Sequence, residues 1–235
     1  MSSTSELNPS RLGTKQHWDN VYATELTNFE EIGDEGEIWF GEDSVEKMVD
    51  WAQDYISKDP SPTILEVGAG NGALLFALLE AGYDGNRILG VDYSEDAVKL
   101  ARAIGARRGE GCERIKFETC DFLQDLPAPL EDMAAPEWDL VLDKGTFDAI
   151  ALAEKDAEGR SPADGYPSRI GKVVKRGGFF LITSCNFTED ELKAKYAAAE
   201  TGLQYHSRVP WPTFSFGGQS GNVYSTVAFH KPSHT

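Results

Sequence analysis

Apolar positions fall into short continuous runs alternating with segments of helical spacing. Ile64-Leu65-Glu66-Val67 runs into Gly68, Gly70 and Gly72, and then into the helix-like Leu74-Leu75-Phe76-Ala77-Leu78-Leu79. Residues 87–92, 114–120, 138–142 and 179–185 repeat the strand pattern, and a helix is predicted from Ser94 to about Arg108. Val45, Met48, Val49, Ala52, Tyr55 and Ile56 recur at helical spacing from an N-cap at Asp43 or Ser44 and stop before Pro60 and Pro62. Thr188 with Glu191 predicts a capping box for a further helix. Residues 204–209 and 222–230 are β-rich with no room for a crossover helix between them, so they should pair antiparallel. The pattern predicts an α/β chain with a Rossmann-like, doubly wound, mostly parallel sheet that ends in an antiparallel strand pair.

The remaining segments are less regular. Residues 1–10 are small and polar and should be disordered. Residues 12–22 predict a short helix, and an acidic loop at 30–36 leads to Trp39-Phe40-Gly41. These adjacent rings either lid a cavity or staple the N-terminal segment to the core. Residues 154–166 look mobile, and Arg176-Gly177-Gly178 reads as a turn opening the fifth strand.

Glycines at a strand-to-helix turn permit positive φ and bring unpaired N–H donors close to a ligand, which makes residues 68–72 a candidate cofactor cradle. With Ala73, the stretch also fits the loose pattern G-x-G-x-x-G/A, so NAD and S-adenosyl-L-methionine compete at this level. Asp92 closes the second strand where a carboxylate can accept hydrogen bonds from ribose hydroxyls, or can simply cap the next helix. Asp121 and Phe122 follow the third strand, where they can meet the edge and face of an adenine. Asp143 follows the fourth, near a reacting group or as half of an ion pair with Lys144.

Composition narrows the partners. The net charge of −17, from 22 basic and 39 acidic residues, opposes a nucleic-acid backbone and favours a basic partner, although it also serves solubility. Cys112, Cys120 and Cys185 have no C-x-x-C spacing, which predicts buried or half-buried thiols in a reducing compartment. No signal peptide or membrane-spanning run is present, so a cytoplasmic or nuclear location is expected. The four histidines show no metal-ligand spacing.

Glu66 before the glycine turn, Asp92 after strand two and Asp121 after strand three resemble the seven-stranded S-adenosylmethionine-dependent methyltransferases over residues 40–231. Leu12-Gly13-Thr14-Lys15, Trp39-Phe40-Gly41-Glu42, Asp143-Lys144-Gly145-Thr146-Phe147-Asp148-Ala149 and Ser220-Gly221-Asn222 extend this to nearly the whole chain. They resemble the lysine methyltransferase family that modifies translation elongation factor 1-alpha. The resemblance implies a cytoplasmic enzyme, expected to be monomeric, acting on a basic protein substrate and on neither nucleic acid nor membrane. It implies a lid segment at 11–42, a methyltransferase domain at 43–235, and cofactor contacts from Gly68, Gly70, Asp92 and Asp121. Trp39, Glu66, Asn71, Tyr93, Phe122 and Asp143 complete the candidate cofactor set.

Methyl transfer from a sulfonium to an amine is an in-line displacement, so the protein mainly positions the partners and excludes water. The substrate lysine must lose a proton, although its reference pKa is about 10.4. An aromatic channel favours that loss and a nearby carboxylate opposes it. Asp143, the candidate catalytic residue, is therefore read as recognising and aiming the ammonium or the cofactor's amino end and not as a simple base, with proton loss to water left open. Trp39, Trp211, Phe214 and Phe216 are candidates to line the channel, with core packing as the alternative. A small-molecule methyltransferase is the main rival. An NAD oxidoreductase leaves the antiparallel end unexplained, and the sequence lacks the Asn/Asp-Pro-Pro-Tyr strand end of a nucleic-acid methyltransferase. A non-catalytic adaptor would show no cofactor turnover.

Overall fold

The computed structural model describes residues 7–216 and 219–233, with the side chains of 213–222 outside the described set. Seven strands form one sheet: β1 (Ile64–Val67), β2 (Ile88–Asp92), β3 (Lys116–Thr119), β4 (Trp138–Lys144), β5 (Val174–Ser184), β6 (Gln204–Val209) and β9 (Ser225–His230), in the order β3-β2-β1-β4-β5-β9-β6. β1 to β5 pair in parallel, whereas β9 runs antiparallel to both β5 and β6, as the sequence pattern predicts. A separate antiparallel pair, β7 (Thr213–Phe216) with β8 (Gln219–Asn222), lies in the connection between β6 and β9.

Residues of β1 and β4 alternate between two apolar layers. One layer holds Ile64, Leu140 and Leu142 against α2 (Glu42–Tyr55), α3 (Ala73–Glu80) and α4 (Glu95–Arg108). The other holds Leu65, Val67 and Val141 against α5 (Thr146–Ala151), α6 (Tyr166–Val173) and α7 (Glu189–Tyr196). Burial on both faces explains why these strands read as apolar runs without alternation. The capping box forms as expected, with Glu191 N–H donating to Thr188 Oγ1 and Thr188 N–H to Glu191 Oε2.

Several boundaries differ from the sequence reading. The N-terminal helix α1 spans Lys15–Ile32, well beyond residue 22, because Trp18, Tyr22, Leu26 and Phe29 continue one apolar face. Thr24 and Thr27 sit inside it by donating to the carbonyls of Asn20 and Ala23. α2 is capped by Gly41, not by Asp43 or Ser44: Ser44 Oγ donates back to Gly41 O at 2.7 Å, and Glu42 and Asp43 lie in the first turn. Gly177 and Gly178 lie inside β5 as a register shift rather than opening it. The segment read as mobile holds a 3-10 turn, Pro162–Gly165, with a Ser161/Asp164 capping box, and Tyr166 is fully buried. Cys185 is exposed, not half-buried. Ser10 is engaged: its N–H donates to Leu152 O at 3.0 Å.

Candidate active site

The carboxyl ends of β1 to β4 open into a cavity of about 320 Å³, where ligands sit in an open parallel sheet. Its floor is the turn after β1. Gly68 (φ 73°) and Gly70 (φ 54°) hold left-handed backbone, and a Cβ would collide with Thr146 Oγ1 at Gly68 and with Tyr22 OH at Gly70. Asp92, at the end of β2 and only 6% exposed, fixes this turn: Oδ2 accepts from Gly70 N–H and Oδ1 from Ser94 N–H, both at 3.0 Å. Each oxygen keeps acceptor capacity toward the cavity. Burial pushes the Asp92 carboxyl up to about 6, against the pull of those N–H donors.

Trp39, Gly68, Gly70, Asn71, Asp92, Tyr93, Asp121 and Phe122 line the cavity together. Asn71 also donates its side-chain amide to the carbonyls of Glu35 (3.0 Å) and Glu37 (3.3 Å), tying the glycine turn to the segment that carries Trp39. Glu66 is buried beneath the wall, and its Oε2 has no hydrogen-bond partner.

Asp143 stands elsewhere, which corrects its placement at the reacting group. Strand parity turns it into the layer of Leu65, Val67 and Val141, where it is fully buried and off the cavity wall. Its carboxylate accepts from Thr146 N–H (2.9 Å), Phe147 N–H (3.1 Å) and Tyr166 OH (2.6 Å). Trp211 is also off the cavity wall: it lines a neighbouring cleft of about 100 Å³ and donates Nε1–H to Thr226 Oγ1 at 2.9 Å. The side chains of Phe214 and Phe216 lie outside the described residues.

The side chain that does face the cavity from the end of β4 is Lys144, which the sequence reading placed only in an ion pair with Asp143. Its ammonium donates to Trp39 O at 3.0 Å. Burial lowers the Lys144 ammonium and raises the Glu66 carboxyl, and each charge draws the other partway back. The lid expected at 11–42 supplies side chains that the sequence reading did not single out. Lys15, Trp18 and Tyr22 line the cavity from α1, preceded by Leu12 and Gly13; their i, i+3, i+7 spacing was the available signal. The Trp39 ring meets Trp18 edge-on at 4.5 Å, so it is wall and staple at once. Phe40 holds φ 65°, a conformation costing a non-glycine residue on the order of 1–3 kcal/mol.

Burial raises Asp143 to about 7 and Asp148 to about 6, as it does Asp92. Between about pH 4 and pH 7 the native chain therefore keeps protons that the unfolded chain has released, and stability falls as pH rises. Each carboxyl contributes up to about 1.4 kcal/mol per pH unit within its window. The melting temperature of the ligand-free protein is expected to be higher at pH 5 than at pH 7.5. An equal or higher value at pH 7.5 would show that these carboxyls ionise at ordinary pH.

A left-handed glycine turn on the cavity wall, a carboxylate with spare lone pairs at the end of β2, and the unpartnered Glu66 Oε2 fit an adenosine-type cofactor with a cationic end. This fold and site define a Rossmann-like methyltransferase, and residues 58–229 match the family described as "Methyltransferase domain". More narrowly, the chain belongs to the protein-lysine methyltransferase family of its curated relatives. It is 42% identical to "Protein-lysine N-methyltransferase efm4" of Schizosaccharomyces pombe, over 96% of each chain. It is 41% identical to human "EEF1A lysine methyltransferase 2", over 95% of this chain and 88% of the relative. Among solved structures, magnesium protoporphyrin IX methyltransferase from Synechocystis PCC 6803, with bound SAM, shares the fold at a TM-score of 0.56 and 16% identity. The match covers 88% of this chain and 95% of that one.

Proposed function

We propose that this chain is a cytoplasmic, monomeric, S-adenosyl-L-methionine-dependent protein-lysine N-methyltransferase whose substrate is translation elongation factor 1-alpha. Family membership supports the activity, and the relatives' names support the substrate. The observation that carries the reading is the joining of Asp92 to the Gly68–Gly70 turn on the wall of one cavity.

Asp92 would take the ribose hydroxyls, Asp121 and Phe122 the adenine, and the Gly68–Asn71 backbone the methionyl end, with Glu66 beneath it. The cofactor supplies an activated methyl and its own leaving group. The chain's task is to orient the amine and keep water out, which the roof of α1 and Trp39 does. Lining by Trp18, Tyr22 and Trp39 favours the neutral amine over the ammonium. Both Asp143 oxygens are taken by the N-terminus of α5 and the Tyr166 hydroxyl of α6, so Asp143 acts as a positioning residue that sets the Gly145–Thr146 turn. Residues 11–42 serve as a fixed lid on the domain formed by 43–235.

Incubation of the protein and labelled S-adenosyl-L-methionine with purified elongation factor 1-alpha is expected to place label on a lysine, mapped by mass spectrometry. Label on small amines alone, with the protein unmodified, would overturn the reading.

A further inference from the structure

Four aromatic side chains lead away from the cavity in sequence-distant pairs. The Phe40 ring lies 5.8 Å from that of Trp39, which stands on the cavity wall. Tyr224 lies 4.9 Å from Phe40, and Trp211 lies 4.9 Å from Tyr224. All four are half-buried, whereas the packed rings of Phe147, Tyr166 and Tyr196 are wholly enclosed. Val223, beside Tyr224, is 54% exposed, a large apolar side chain left open to solvent next to the rings. An alkylammonium already rests on the far end of this file: Lys47 Nζ stands 5.2 Å from the centroid of the Trp211 ring. The edge of the file is acidic. Glu42, Asp43 and Glu46 follow directly on Phe40 and Gly41, all exposed, and Lys47 is the single basic residue of α2. Glu37, also exposed, stands at the cavity itself.

We propose that the substrate's basic, lysine-bearing segment docks along this path, its target lysine passing Trp39 and Phe40 while flanking cationic and apolar side chains lie on Tyr224 and Trp211. The proposal rests on the protein-lysine methyltransferase reading and assigns the docking surface within it. Ring faces attract an ammonium through their quadrupole while excluding water. The α2 carboxylates would steer a positively charged segment and set the direction in which it lies. The rings meet at the foot of the β7–β8 hairpin, between Pro212 and Val223, so the path joins two parts of the chain that flank the cavity from opposite ends of the sequence.

The test uses the full-length protein with elongation factor 1-alpha as substrate. Tyr224→Leu keeps apolar volume but removes the ring face, and it is expected to raise KM for the protein substrate roughly 3- to 30-fold. Cofactor affinity, read by calorimetric titration, should stay within twofold, and Tyr224→Phe should restore KM. The double charge reversal Glu42→Lys/Asp43→Lys should raise KM at low salt, with the difference closing at high salt. If the wild type methylates the factor and both variants keep its KM at low salt, the path is wrong while the functional reading survives. A loss of cofactor affinity equal to the loss in kcat/KM would assign the rings to the cofactor site and overturn the docking role. A wild type that transfers no methyl to a protein lysine overturns both.

Discussion

Asp92→Ala is expected to weaken S-adenosyl-L-methionine binding by two orders of magnitude or more while leaving the chain folded. The carboxylate is the acceptor at the end of β2 on the cavity wall, and it is held in place by Gly70 and Ser94 N–H. Hydrogen bonds to a charged partner are worth about 1.5–3 kcal/mol each, so losing two to a ribose corresponds to roughly 10²- to 10⁴-fold in affinity. The freed Gly70 N–H also loosens the turn, which adds to the loss. Calorimetric titration measures the affinity, and circular dichroism checks the fold. Wild-type affinity in Asp92→Ala would reduce Asp92 to a cap on α4, and a melting shift produced by NAD alone would point to the oxidoreductase class.

Asp143→Ala should instead strike stability. The substitution leaves Thr146 N–H, Phe147 N–H and Tyr166 OH without an acceptor in a fully buried place. Unpaired buried donors cost about 1–3 kcal/mol each, so a loss on the order of 3–5 kcal/mol is expected. For a chain of this size that corresponds to a fall of about 6–20 °C in melting temperature. Asp143→Asn retains one acceptor and should melt between the two and keep most of its turnover. If Asp143→Ala melts like the wild type and Asp143→Asn loses turnover, the ammonium-aiming role read from sequence returns in place of the positioning one.

The contrast between Asp143 and its neighbour shows what the sequence can and cannot carry. The glycine turn was legible because positive φ is a local demand that glycine meets, and Asp92, Asp121 and Phe122 were legible because parallel strands end where ligands sit. Leu140, Val141 and Leu142 are consecutive apolar residues, so they mark a strand without marking its faces. A shift of one residue exchanges Asp143 for Lys144 at the cavity, and only the register of β4 with β1 decides between them. The lid at 11–42 was expected from the resemblance, but its lining side chains were hidden for another reason. α1 is only weakly amphipathic, and its partners, α4 and the glycine turn, lie far along the chain. Arg108, at the end of α4, pairs with Glu35 in the segment that follows α1, at positions that no local pattern connects.

The residues matching the general methyltransferase domain begin at 58, yet Leu12, Gly13, Lys15, Trp18, Tyr22, Glu37 and Trp39 all stand on the cavity wall. The chamber is thus assembled from two stretches of the chain: the matched domain, and a segment ahead of it that the protein-lysine methyltransferase relatives share. Substitutions on the cavity-facing side of that leading segment would reshape what the chamber admits while leaving every strand of the sheet as it is.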